Sequence, residues 1–143
     1  MRAPDLIVEI AASSVSIDLH DKLRAYRRAG VREYLIWRTV ERQFDWLVLE
    51  HDEYRPNLPD AQKLIHSPYF PGLALALDSM LALESAKVLD ALQADLSTPA
   101  HAAFVKQLSI SMPKQIVLRF GRPELRLTIR RETALLRSQP VEA

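Results

Sequence analysis

The sequence predicts an α/β or α+β domain, and three observations point to it. Short apolar runs rich in β-branched and aromatic residues recur at 6–10, 33–37 and 43–49. Between the first two, Leu19, Leu23 and Tyr26 fall at i, i+4 and i+7, the spacing of one helix face. The chain has 143 residues, 48% of them hydrophobic and 26% charged, which fits one domain of ordinary size with a packed core.

The elements follow in order. Residues 6–10 read Leu-Ile-Val-Glu-Ile, a buried strand carrying one carboxylate. Ser16 or Asp18 can cap the helix that follows. Gly30 stands at its C-cap position, after Arg27 and Arg28, whose charges suit the negative end of the helix dipole. Residues 33–37 and 43–49 are two strands joined by a hairpin-like connection at 38–42. Residues 53–55 and 62–65 are expected as short edge strands around Pro56 and Pro59, and 73–77 as a last core strand after Phe70-Pro71-Gly72. Asp78 or Ser79 opens a helical pattern through Leu81, Val88, Leu89 and Leu92. Thr98-Pro99 caps a further short helix carrying His101, Phe104 and Leu108. Two strand-like runs, 115–120 and 125–131, flank Gly121-Arg122-Pro123-Glu124 as a hairpin.

Composition narrows the function classes. With no cysteine there is no disulfide framework, thiolate zinc site or cysteine nucleophile. With three glycines there is no GxGxxG or GxxxxGK[ST] string. The longest apolar run falls short of the ~18 residues of a membrane span, and the N-terminus lacks the apolar core of a signal peptide, so the expected location is cytoplasmic. Net charge is +1 but unevenly placed: residues 1–108 hold 12 Lys/Arg against 15 Asp/Glu, and 109–143 hold 7 against 3. A domain over 1–108 and a basic tail over 109–143 are the expected division. The tail is either a solvated segment or an arm that contacts phosphate.

Glu9 is the residue with most chemical content. An ionised carboxylate in the middle of a buried strand costs several kcal/mol unless a metal or cation receives it; otherwise it must point to a polar face of a half-buried strand. The ordered words Pro4-Asp5-Leu6-Ile7-Val8-Glu9-Ile10, Ser13-Ser14, Asp18-Leu19, Asp21-Lys22-Leu23, Tyr26-Arg27-Arg28-Ala29-Gly30-Val31 and Glu33-Tyr34-Leu35-Ile36-Trp37 resemble the C-terminal part of the Uma-two family of restriction endonucleases, a branch of the PD-(D/E)XK nuclease superfamily. Ser67-Pro68-Tyr69-Phe70-Pro71-Gly72-Leu73 fits the strand that closes that domain. The resemblance is close over residues 3–80 and looser over 81–108.

The resemblance implies a restriction-endonuclease-like mixed sheet with flanking helices. It also implies a magnesium-dependent DNA endonuclease that hydrolyses phosphodiester bonds, with Mg2+ as cofactor and DNA as partner. Glu9 would be metal ligand and catalytic carboxylate. The superfamily's lysine, two residues after the glutamate, is replaced by Ala11, and the resemblance supplies Lys22 instead, with Asp18 and Tyr26 in support on the same helix face. Asp5 does not serve as a second ligand: four strand residues separate it from Glu9 by about 13 Å, whereas oxygens on one magnesium lie at ~2.1 Å from it.

The family's other metal carboxylate comes from a preceding strand, which would lie upstream of Met1. The domain is therefore expected to be incomplete at its N-terminus and inactive for that reason. The alternatives are a non-catalytic nuclease-fold remnant, a protein-interaction module, or a DNA-binding module using the basic tail. An open sheet edge beside the first strand is also expected, and with it a homo-oligomer. His20, His51, His66 and His101 show no metal-ligand spacing, and Ser13-Ser14 has neither glycine elbow nor partner histidine. Trp37 and Trp46 are expected in the core.

Overall fold

A computed structural model describes residues 2–11, 19–108, 113–119, 124–129 and 137–140. It is a mixed α+β structure that divides into two compact units, residues 1–56 with 113–143, and residues 57–112.

The first unit is built on a seven-stranded sheet. Its strands are β1 (Leu6–Ala11), β2 (Glu33–Arg38), β3 (Gln43–Glu50), β4 (Glu53–Pro56), β7 (Lys114–Arg119), β8 (Glu124–Ile129) and β9 (Arg137–Pro140), and the spatial order is β4-β3-β2-β1-β7-β8-β9. β1 is parallel to both its neighbours; the other pairs are antiparallel. Helix α1 (Leu19–Ala29) makes the crossover from β1 to β2, the connection that parallel strands require. It covers one sheet face. Ile7, Val31, Tyr34, Ile36 and Val117 form the buried cluster there, with Leu19, Leu23 and Tyr26 packed against it, so the helical spacing read from sequence is the packing face.

Gly30 ends α1 as expected. Its φ of 78° lets the Val31 N–H reach the Tyr26 carbonyl and its own N–H reach that of Arg27, both at 3.0 Å. No atom lies within 4 Å of the place a Cβ would take, so backbone conformation and not crowding selects glycine. On the opposite sheet face Trp46 is buried as expected, and its indole N–H donates to buried Glu33 at 2.8 Å.

Two expectations need correction here. β1 has no open edge: β2 pairs one flank and β7 the other, with Leu6 to Glu9 in register with Ile116 to Arg119. Within 109–143, set apart by charge as a basic tail, β7 and β8 belong to the same sheet as β1. Net charge hid this because Lys114 and Arg119 merely flank the run Ile116-Val117-Leu118, of which Val117 is wholly buried. The Gly121-Arg122-Pro123 turn lies outside the described residues, but β7 and β8 pair antiparallel as a hairpin requires.

The second unit holds a two-stranded sheet, β5 (Leu64–His66) with β6 (Ala74–Ala76), and helices α2 (Leu77–Leu81), α3 (Ser85–Leu96) and α4 (Pro99–Gln107). The expected closing strand at 73–77 is thus a three-residue strand of a separate ribbon, cut short because α2 starts at Leu77. The expected single helical pattern after Asp78 is two helices, broken at Leu83 with a positive φ of 59°. Thr98 caps α4 through its side chain, as read. No helix among the described residues is long and apolar enough to cross a membrane.

Candidate site around Glu9

Alternation along β1 sends Glu9 to the same sheet face as Ile7, under α1. There the carboxylate is buried and meets four side chains from three elements. From α1, Lys22 Nζ donates to Glu9 Oε1 at 3.1 Å and the Tyr26 hydroxyl at 3.4 Å. From β2, the Tyr34 hydroxyl donates to Oε2. From β7, Arg119 brings a guanidinium nitrogen to 3.9 Å from Oε1. The cost of burying the charge is thereby offset by two cations and two phenols.

Local structure explains why these groups converge. Lys22 and Tyr26 are one turn apart on α1 and therefore share a face. Arg119 is the direct register partner of Glu9 across β1 and β7. The guanidinium also donates to the Tyr26 hydroxyl, lies 5.5 Å from the centre of that ring, and sets its buried Nε 2.9 Å from Glu124 Oε2, as an ion pair without an aligned hydrogen bond. Arg126 pairs with the other Glu124 oxygen at 3.0 Å. Three cations against two carboxylates leave the cluster with one net positive charge. Lys22 and Arg119 each expose about a third of their side chains (31% and 32%), whereas Glu9 is buried.

Burial pushes the Tyr26 phenol up to about 12, with the neighbouring Glu9 charge adding to it and Arg119 opposing. Tyr34 is raised further by burial first, then by its hydrogen bond to Glu9. Both phenols therefore remain protonated donors at neutral pH, and edge-to-face packing at 4.9 Å holds their rings together.

A family model described as "putative restriction endonuclease", Uma2, matches residues 1–78. The chain belongs to the Uma2 family. No curated protein and no solved structure matches it. The family match covers Glu9, Lys22, Tyr26 and Tyr34, whereas Arg119, Glu124 and Arg126 lie beyond it.

Of the residues singled out from sequence, the structure brings Glu9, Lys22 and Tyr26 together, while Asp18 lies outside the described residues. Asp5 is buried but turned to another task. Its Oδ2 accepts the Gln115 backbone N–H at 2.9 Å, and its Oδ1 pairs with Arg2 at 2.7 Å, which staples the start of β1 to β7. His101 packs against Phe104 and bonds the Pro71 carbonyl at 2.8 Å; His66 bonds Asp60 at 2.8 Å. Tyr34 and Arg119 were missed by sequence reasoning: Tyr34 reads as one more apolar strand residue, and Arg119 lies 110 positions from its partner.

Nucleases of the restriction-endonuclease type generally use a divalent metal, and the described residues can be tested for one. Both Glu9 oxygens already accept hydrogen bonds, and the groups nearest them are cations and hydroxyl donors. Among the described residues no three His, Asp or Glu side chains gather as a ligand set. This donor set does not fit a resident magnesium ion.

Proposed function

We propose that this member of the Uma2 family binds the DNA backbone at the exposed side of the Glu9 cluster, with Lys22 and Arg119 receiving phosphate. Phosphodiester hydrolysis of the family's kind would then need Mg2+ and a further carboxylate beside Glu9. The observation that carries the reading is the Lys22–Glu9 pair at 3.1 Å, a cation fixed over a buried carboxylate and still partly open to solvent. Fixed cations on a rigid sheet and helix neutralise backbone phosphates irrespective of sequence. Glu9 orients the two cations and keeps them from drifting into solvent. The tyrosines, held protonated, orient Glu9 in turn.

A second reading has one observation in its favour. The same Glu9–Lys22 pair is what a magnesium-dependent endonuclease of this family would present, with Glu9 as metal ligand and Lys22 stabilising charge on the phosphate. A plasmid-nicking assay with Mg2+ and Mn2+, run beside a fluorescence-anisotropy binding assay, separates the two. Binding without cleavage is expected, weakened in Lys22→Ala. Robust cleavage abolished by Glu9→Gln would replace the first reading by the second, and an absence of DNA binding would sink both.

A further inference from the structure

We infer that Arg119 is a built-in counter-cation that closes the Glu9 site to divalent metal. The inference goes beyond the DNA-binding reading and does not depend on it. β7 fills the flank of β1 opposite β2, and the register sets Arg119 directly beside Glu9. Side chains of paired neighbours project from the same sheet face about 4.8 Å apart, so the cation stands where a ligand to a shared ion would have to stand.

The guanidinium is held on several sides: by the Tyr26 hydroxyl, by the face of the same ring, by Glu124 and by Glu9 itself. A lysine could swing away or lose its proton. Arginine does not deprotonate in proteins, and this one is pinned through both its Nε and a terminal nitrogen. A divalent ion approaching Oε1 would meet a fixed positive charge already 3.9 Å from that oxygen, and would also have to displace Lys22. Arg119 is held by Tyr26 and Glu124 as well as by Glu9. Arg119 therefore decides whether metal can enter. Because it lies outside residues 1–78, the device is supplied by a segment beyond the family match.

The test is titration of the full chain with Mn2+, followed by calorimetry and by the loss of the free-ion electron-spin signal. It compares the natural sequence, Arg119→Gln, Arg119→Lys and the double variant Glu9→Gln/Arg119→Gln, with circular dichroism confirming folding. The natural chain is expected to show no saturable binding at millimolar Mn2+, and Arg119→Lys, whose ammonium can swing away, to gain part of the binding seen in Arg119→Gln. Arg119→Gln is expected to bind at least about tenfold more tightly, and the double variant to lose that gain. A folded Arg119→Gln that gains nothing would overturn the inference. So would Mn2+ binding by the natural chain that disappears in Glu9→Gln, a measurement that decides the matter even if Arg119→Gln fails to fold.

Discussion

Asp5 and Glu9 are two buried carboxylates four residues apart at the same strand, and they are satisfied in opposite ways. Asp5 accepts a backbone N–H from Gln115 and one arginine that is local in sequence. Among the described residues Glu9 accepts side-chain donors, drawn from α1, β2 and β7. A carboxylate bonded to backbone fixes the position of a strand and has little else to offer. One bonded to side chains can exchange partners, and here two of those partners are cations with partly exposed side chains. The difference sets Glu9, the centre of the candidate site, apart from Asp5, a staple between β1 and β7.

Substitutions can break that contrast. Glu9→Ala leaves two cations and two phenols facing an empty place, and should have the largest effect on stability, about 2–3 kcal/mol, moderated because Lys22 and Arg119 are partly solvated. Urea denaturation checks it; a loss below that of Asp5→Asn would reverse the ranking. Asp5→Asn, which exchanges the charged acceptor for a neutral amide, should cost about 1–2 kcal/mol and leave DNA binding unchanged if Asp5 is only a staple. Gly30→Ala should cost about 1 kcal/mol through its left-handed backbone alone, with the Glu9 cluster untouched.

Alkaline pH sharpens the comparison further. Tyr26 ionises near 10 when unfolded and only at about 12 when folded, so above pH 10 the unfolded chain releases a proton that the folded one retains. The stability that Tyr26 contributes is present below pH 10 and is lost as pH rises towards 12; Tyr34 acts in the same direction. Denaturation midpoints should fall over this window, and less steeply in Tyr26→Phe. An identical slope in that variant would detach Tyr26 from the cluster.

How much of this was legible depends on sequence distance. The strand of Glu9, the α1 face bearing Lys22 and Tyr26, and the Gly30 stop all rest on spacings within a few residues, and each is found in the structure. The pairing of β1 with β7 joins residues 110 apart, and parallel pairing leaves no turn signal to announce it. Arg119 and the closed flank of β1 were hidden for that reason. The break between α2 and α3 falls at Leu83, a residue type that carries no turn preference, so a continuous helix was the natural reading.

The central claim, that Lys22 held by Glu9 is a phosphate contact, is tested most directly by the salt dependence of DNA binding. Log affinity against log salt should be linear, and Lys22→Ala should flatten its slope by about one contact, roughly 0.9, while weakening binding equally across unrelated sequences. A slope and affinity unchanged in a folded Lys22→Ala protein would contradict the account.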